Sequence, residues 1–178
     1  MKILFVRHGK SDYTLADLRH LSYAEKNYCP LDSSALHMVE ETAQDLRFKD
    51  ADIILSSPFT RALQTAEILN RRLQKPLVVE YDLHEWAVSL DGSAVIDENE
   101  TLRRYYEFRN LNGAVSAGKK LLYESAESVE KRGKAVLEKY KQYKKIIVVS
   151  HGTLIMCVTG IFGDVPLCGI VEYEFRND

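Results

Sequence analysis

Short, continuously apolar runs alternate with longer amphipathic stretches along the chain, and this alternation restricts the fold more than any other feature. Because the runs are apolar at every position, both faces of each predicted strand must be covered. The pattern therefore predicts an α/β three-layer sandwich, with a mostly parallel central sheet and helices on both faces. The predicted strands are Ile3–Val6, Asp52–Leu55, Leu77–Val79 and Ile146–Val149, with Val171–Phe175 as a candidate edge strand.

The stretches between the strands carry apolar residues at helical spacing. Ser57 is expected to cap the second helix, and Pro58 to be its first residue, because these residue types favour those positions. The last helix is apolar on every side and is therefore expected to be buried. The predicted helices are Leu31–Phe48, a helix from Ser57 to Leu73, Ser125–Tyr143 and Leu154–Ile161.

One segment, residues 87–124, does not follow the alternation. It contains three glycines, an acidic cluster and the basic and aromatic stretch Arg103–Arg109. A chain of 178 residues has the length of one domain. We therefore expect a single domain over residues 1–178, with 87–124 as a partly helical insertion or lid over one end of the sheet.

Composition narrows the class of protein. With 24 Lys and Arg against 26 Asp and Glu, the net charge is −2, which gives no global basic field for nucleic acid. No apolar run approaches the roughly 20 residues that span a bilayer. The three cysteines are odd in number and lack CxxC spacing, as is typical of reduced thiols. We expect a cytoplasmic protein without nucleic-acid or membrane partners; its oligomeric state is left open.

Polar residues suited to phosphate chemistry follow four of the predicted strands. Arg7 and His8 follow the first strand, and Arg61 lies one helical turn beyond the second. Glu85 follows the third strand and His151 follows Ile146–Val149. Because the carboxyl ends of parallel strands meet at one edge, where open α/β sheets bind ligands, we expect these side chains to form one site.

The residue types of this site form a consistent chemical set. Two arginines can clamp phosphate oxygens bidentately. A neutral imidazole can attack phosphorus, and a second imidazole, if protonated, can bind an equatorial oxygen. A carboxyl group can protonate the leaving oxygen and later accept a proton from water.

At these residues the sequence resembles the histidine phosphatase superfamily, which includes the phosphoglycerate mutases. The resemblance runs from residue 2 to about residue 161, and its RHG, SSPxxRAxQTA and VSHG segments occur in the family's order. It implies the phosphoglycerate mutase-like version of the predicted fold. The matching segments are Arg7–Gly9, Pro30–Leu31, Ser56–Ala66, Leu83–Glu85, Glu124–Ser125 with Arg132, and Val148–Gly152.

The resemblance also implies roles for individual residues. His8 is expected to be the nucleophile that becomes phosphohistidine, and Glu85 the proton donor. Arg7, Arg61 and His151 are expected to form the phosphate pocket. The family needs no metal and no cofactor is implied. The substrate contacts expected from the resemblance are Arg7, Ser11, Thr14, Arg61, His151 and Gly152.

The leading hypothesis is a metal-independent phosphomonoester hydrolase acting on a phosphorylated small molecule, with a phosphoprotein as an open alternative. A phosphoglycerate-type mutase is a second hypothesis, although Lys10 and Thr14 stand where mutases carry other residues. A regulatory protein that binds a phosphorylated ligand is a third. Trp86, Tyr105 and Tyr106 are candidate aromatic contacts for a planar substrate.

Three further motifs are weaker. Gly113–Lys120 nearly spells a P-loop, but it ends in Lys120 where Ser or Thr should contact Mg²⁺. His84-Glu85 is not the start of a zinc HExxH motif, because Val88 replaces the second histidine. We favour an exposed amphipathic helix for Arg103–Arg109, ahead of a substrate lid or a nucleic-acid patch.

Overall fold

The computed structural model describes residues 1–90, 97–114 and 121–176. Its five-stranded sheet has the order β3-β2-β4-β1-β5. All neighbouring strands are parallel except β5, which runs antiparallel to β1 at the edge. The predicted α/β fold with a mostly parallel sheet is thereby confirmed. The strands are β1 (Lys2–Arg7), β2 (Ile53–Ser56), β3 (Leu77–Val79), β4 (Lys145–Ser150) and β5 (Ile170–Glu174).

Helices cover both faces of this sheet. One face carries α2 and α3, and the other carries α5 and α6. No helix in the described part of the chain is long and apolar enough to cross a membrane. The helices are α1 (Thr14–Leu18), α2 (Ala35–Thr42), α3 (Thr60–Leu73), α4 (Glu98–Asn110), α5 (Ala126–Glu138) and α6 (Gly152–Thr159); short 3-10 turns cover Glu25–Tyr28, Leu46–Phe48 and Tyr81–Leu83.

Strand β1 shows why the apolar runs are continuous. Leu4 and Val6 contribute to the core beneath α2 and α3, whereas Ile3 and Phe5 contribute to the core beneath α5 and α6. All four side chains are fully buried. Successive strand residues point to opposite faces, so a strand with two covered faces needs apolar residues throughout.

The predicted helix Leu31–Phe48 is wrong in its extent. At its start, Leu31 forms an isolated antiparallel bridge with Ser11, and the amide of Asp32 donates to the Lys10 carbonyl at 2.9 Å. This extended backbone delays the helix to Ala35. At its end, Asp45 caps a separate 3-10 turn by accepting from the Arg47 amide.

The predicted start of α3 is also wrong, because Phe59 and not Ser57 is the residue that precedes the helix. The Ser57 hydroxyl lies 2.7 Å from His151 Nε2 instead. The other boundaries shift less: α5 ends five residues before Tyr143, and α6 runs from Gly152 to Thr159, where Gly160 adopts a left-handed φ of 71°.

Part of the segment 87–124 lies outside the described residues, including most of the P-loop-like stretch. Its described helix, α4, is amphipathic: Phe108 is fully buried, and the buried Arg104 donates to the carbonyls of Val88 and Leu122. Arg103 pairs with Glu100 and Glu107. Arg103 thus forms ion pairs within α4, and Arg104 links α4 to the neighbouring segments. Both contacts agree with the prediction of an amphipathic helix here.

Helices α5 and α6 approach closely at Gly133. A Cβ atom built there would lie 2.4 Å from Val158 Cγ2. We predict that Gly133→Ala lowers the free energy of unfolding by about 1–2 kcal/mol, because overpacking outweighs the gain in helix propensity. Urea unfolding measures this loss. The control Gly163→Ala, where the built Cβ has no neighbour within 4 Å, should change little.

Adding Val158→Ala should relieve part of the loss, so that the double variant is less destabilised than the sum of the two single variants. Additive losses would contradict close packing at this point.

Candidate active site

Two histidines meet at the carboxyl ends of neighbouring parallel strands. Arg7 of β1 is paired in register with Ser150 of β4, and His8 and His151 are the next residues. The His8 amide donates to the Ser150 carbonyl at 3.0 Å, and the two imidazole centroids lie 5.0 Å apart. The chain leaves β1 towards α2 on one face and β4 towards α6 on the other. The site therefore lies at a topological switch point of the sheet.

The hydrogen bonds of His8 determine its tautomer. Its Nδ1 lies 2.6 Å from the Gly9 carbonyl oxygen, which can only accept, so Nδ1 carries the proton. Its Nε2 accepts from Arg61 Nε at 3.2 Å and is therefore unprotonated. Burial, together with the charges of Arg61 and Arg7, lowers the pKa of His8 from 6.5 to about 3. The ring is therefore neutral, and its single Nε2 lone pair accepts from Arg61.

The loop that carries His8 is held against α2 and α3. The Gly9 amide donates to the Thr65 hydroxyl at 3.1 Å. A Cβ atom at Gly9 would lie 3.1–3.3 Å from side-chain atoms of Val39, Leu31 and Ala35. Only glycine lets this loop approach α2 so closely without displacing a neighbour.

His151 is fully buried beside His8. Burial first, and then the charge of Arg61, lower its pKa well below 6.5, so the imidazole is neutral in this structure. Its Nε2 lies 2.7 Å from the Ser57 hydroxyl, which sequence analysis assigned to a helix cap. A contribution from protonated His151 would need a bound anion to raise this pKa.

Two guanidinium groups lie at the same point. Arg61 is only 6% exposed, and its guanidinium carbon lies 5.1 Å from the Phe59 ring centroid. Arg7 passes Gly152, where a built Cβ would lie 3.4 Å from the guanidinium carbon. Neither arginine forms an ion pair with a carboxylate within the described ranges. An anion at this point would therefore meet two positive charges that are not paired with a carboxylate among the described residues.

Several buried polar atoms of the motif residues lack a hydrogen-bond partner among the described residues. Buried polar atoms are normally paired, so such a group needs a specific reason. Here they are guanidinium, hydroxyl and imidazole atoms of residues at or beyond the carboxyl ends of β1, β2 and β4, where a tetrahedral oxyanion could use them. These atoms are Arg7 Nε, Ser11 Oγ, Arg61 Nη1 and His151 Nδ1.

Glu85 lies at the start of α6. Its carboxylate accepts from the amides of Leu154 and Thr153 at 3.3 and 3.5 Å, and from the Trp86 amide at 2.8 Å. The Ser150 hydroxyl donates to the Leu83 carbonyl at 2.8 Å, which ties the segment before Glu85 to the end of β4. These contacts bring the carboxyl group of Glu85 to the same edge of the sheet as the two histidines.

A buried ion pair holds the segment that carries Glu85. Arg132 donates to both carboxylate oxygens of Glu124, at 2.8 and 3.0 Å. The same guanidinium donates to the carbonyls of Asp82, His84 and Glu85 at 2.6–3.2 Å. The sequence indicated Arg132 only as part of a motif. Its contacts with the three carbonyls could not be predicted, because they join segments about 48 residues apart and leave no local pattern in the sequence.

The remaining predicted contacts differ in their surroundings. Ser11 presents a buried hydroxyl, and Gly152 begins α6 beside Arg7. Thr14 is an exposed residue at the start of α1, and its amide donates to Asp12 at 2.9 Å. Its contact with a substrate stays a prediction. Lys10 extends to Asp32 at 3.2 Å.

No three His, Cys, Asp or Glu side chains in the described segments are grouped closely enough to hold a metal ion. The three cysteines are unpaired and buried.

Fold and site together define a protein that can hold a tetrahedral oxyanion against a neutral imidazole. The model of the histidine phosphatase superfamily (branch 1) matches residues 3–177. The chain belongs to this superfamily.

Two curated relatives cover nearly the whole chain. The uncharacterized phosphatase PhoE of Bacillus subtilis (strain 168) is 28% identical over 171 residues, which are 92% of this chain and 79% of the relative. A protein of Photorhabdus laumondii subsp. laumondii, named "Probable phosphoglycerate mutase GpmB", is 24% identical over 180 residues, or 99% of this chain and 81% of that protein.

Solved structures share the fold at lower identity. A mycobacterial glucosyl-3-phosphoglycerate phosphatase in complex with VO3 superposes with a TM-score of 0.73 at 17% identity, over 96% of this chain and 90% of that one. The protein TTHB049 from Thermus thermophilus gives a TM-score of 0.67 at 21% identity, over 98% of this chain and 94% of that one. These similarities establish the phosphoglycerate mutase-like fold.

The lowered pKa values of His8 and His151 predict how stability depends on pH. Below pH 6.5 the unfolded chain protonates both imidazoles while the folded chain keeps them neutral, so stability falls as the pH falls. Each buried imidazole contributes a slope that approaches about 1.4 kcal/mol per pH unit. Urea unfolding between pH 7.5 and 5, without phosphate, measures it.

His8→Asn should reduce that slope by about 1.4 kcal/mol per pH unit towards pH 5. The matched variant His37→Asn, at an exposed position on α2, should keep the wild-type slope. An unchanged slope in His8→Asn would argue against a neutral His8.

Proposed function

We propose that this chain is a metal-independent phosphomonoester hydrolase that works through a phosphorylated His8. One observation carries the proposal: His8 presents an unprotonated Nε2 beside Arg61, within a group of buried donors that lack partners. Nothing else in the described structure uses those donors. The superfamily membership and the relative named as a phosphatase support the same reaction class.

The first step is transfer of the phosphoryl group to His8. Arg61 Nε gives up its hydrogen bond to Nε2. The Nε2 lone pair then attacks phosphorus, an N–P bond forms, and the ester P–O bond breaks with its electron pair on the leaving oxygen. Glu85 in its acid form gives that oxygen a proton. Arg7 and Arg61 hold the equatorial oxygens, where charge builds up during transfer.

The second step is hydrolysis. Water gives a proton to the Glu85 carboxylate and attacks phosphorus, and the N–P bond breaks with its electron pair returning to Nε2. Phosphate leaves, and both His8 and Glu85 regain their starting protonation. The Gly9 carbonyl keeps the proton of His8 on Nδ1 throughout, so Nε2 is again the nucleophile.

A phosphoglycerate-type mutase is the second candidate, because one relative at 24% identity carries that name. In a mutase, phosphorylated His8 would return its phosphate to a bound sugar acid faster than to water. Isomerised product without free phosphate would identify it. Against it, Lys10 and Thr14 stand where mutases of the superfamily carry other residues.

Phosphate release from 4-nitrophenyl phosphate in the presence of EDTA tests the proposed function. We predict turnover by the wild type and a loss of more than about 10³-fold in His8→Ala, since the covalent route disappears with its nucleophile. The control His37→Ala removes an exposed histidine and should keep the wild-type rate. An unchanged rate in His8→Ala would overturn the proposal, as would saturable phosphate binding without turnover.

Glu85→Gln should discriminate between leaving groups. In kcat/KM, which does not include the later hydrolysis of phosphorylated His8, esters of alkyl alcohols need the proton and should slow about 10²–10³-fold, whereas 4-nitrophenyl phosphate should slow by less than about 10-fold. The exposed Glu127→Gln on α5 is the control and should affect neither. Equal losses on both esters would remove Glu85 from the proton-donor role.

A further inference from the structure

A cavity of about 590 Å³ opens beside the candidate active site. Glu85 lines it, and so does Phe59. Phe59 also packs on the site, with its ring centroid 5.2 Å from that of His151. An ester with its phosphoryl group at His8 would therefore have this cavity for its leaving group.

Aromatic and imidazole rings make up much of the cavity wall. The rings of Phe59 and His84 lie 6.1 Å apart at 34°, and those of Tyr81 and His84 lie 5.2 Å apart at 61°. Tyr81 is 73% exposed, so much of its ring area is open to contact. Ring faces and edges of this kind favour a planar guest. The aromatic and imidazole residues that line the cavity are Tyr23, Tyr28, Phe59, Tyr81, His84 and Trp86.

These aromatic residues differ from those that the sequence suggested. Of Trp86, Tyr105 and Tyr106, only Trp86 lines the cavity among the described residues. Its indole is 4% exposed and donates to the Glu124 carbonyl at 2.6 Å, so it forms the floor and belongs to the core.

The described residues that line the cavity include no permanently positive side chain. None of the described lining residues is Lys or Arg, and Glu85 is the acidic one. Lys26 precedes the lining residue Asn27 in the sequence, but its ammonium group pairs with Asp17 at 3.3 Å. Burial, and then the charge of Glu85, raise the pKa of Tyr23 to about 12, which keeps that phenol neutral.

His84 is also uncharged at neutral pH. Its Nδ1 lies 2.7 Å from the Glu85 carbonyl and therefore carries the proton, which leaves Nε2 as an acceptor. Burial, with a further contribution from Arg132, lowers its pKa. A second anionic group on a substrate would thus lose its water and find no cation on these walls.

We propose that this cavity binds the leaving group and selects phosphate esters of aromatic alcohols that carry no second negative charge. The inference rests on the proposed function, because it assigns the substrate class of the same site. It also excludes phosphorylated sugar acids as good substrates.

Three esters of similar intrinsic reactivity test the selection through kcat/KM: ethyl phosphate, benzyl phosphate and 4-carboxybenzyl phosphate. We expect benzyl phosphate to exceed ethyl phosphate by at least about 10-fold, because its ring enters the aromatic cavity. The added carboxylate should lower kcat/KM at least about 10-fold relative to benzyl phosphate, because it loses hydration on walls that offer no cation.

Variants at the exposed mouth locate the effect. Tyr81→Leu should reduce the benzyl-to-ethyl ratio about 3- to 10-fold, as expected for loss of one aromatic contact. Tyr106→Leu removes another exposed tyrosine, outside the lining, and should leave the ratio unchanged. Tyr28→Lys, which adds a cation at a position 77% exposed, should improve the carboxybenzyl ester relative to benzyl phosphate.

Equal kcat/KM for the benzyl and ethyl esters, or a preference for the carboxylated ester, would overturn the inference while leaving the phosphatase intact. A benzyl preference that Tyr106→Leu removes and Tyr81→Leu does not would overturn the assignment to this cavity. If none of the three esters is hydrolysed in a His8-dependent way, the proposed function fails, and the inference fails with it.

Discussion

The parallel pairing of β1 with β4 is the constraint on which the whole site depends. It sets Arg7 opposite Ser150 and so brings His8 and His151 to adjacent positions, with imidazole centroids 5.0 Å apart. A slip of one residue in this register would turn one strand's side chains to the opposite face. The other parts are attached to this pair: Ser57 contacts His151, and Ser150 binds the Leu83 carbonyl ahead of Glu85.

The arrangement of the site is suited to binding an anion, and it does not stabilise the folded chain. Two guanidinium groups and two neutral imidazoles share a buried region, and their burial and mutual proximity lower the pKa values of both histidines. Buried charges and donors without a partner lower the stability of the folded protein, because they have lost their hydration. For the same reason they bind an anion strongly. The contrast is Arg132, whose guanidinium is fully used by Glu124 and three carbonyls and acts as a support for the Glu85 segment.

Sequence reasoning succeeded where a pattern has one structural solution. Continuous apolar runs such as Ile146–Val149 need cover on both faces, which led to the sheet, and the position of polar residues after strands led to one edge. It failed where a distant partner competes with local preference. Ser57 favours a helix cap, yet its hydroxyl contacts His151; Leu31 has helical spacing, yet its backbone pairs with Ser11.

The aromatic cavity was beyond sequence reasoning for the same physical reason. Tyr23, Phe59 and Tyr81 come from three separated segments with no shared periodicity, and only the fold brings them beside Glu85. Trp86 was recognised as a candidate, but its role as core could be assigned only from its contacts with Phe108 and Tyr123.

The central claim is that the tautomer of His8 makes Nε2 the nucleophile. Rapid quenching of the enzyme during turnover, followed by 31P nuclear magnetic resonance of the His8-containing peptide, tests it directly. The account predicts phosphate on Nε2 of His8, because Nδ1 is held by the Gly9 carbonyl at 2.6 Å. Phosphate on Nδ1, on another residue, or on no residue during active turnover would contradict it.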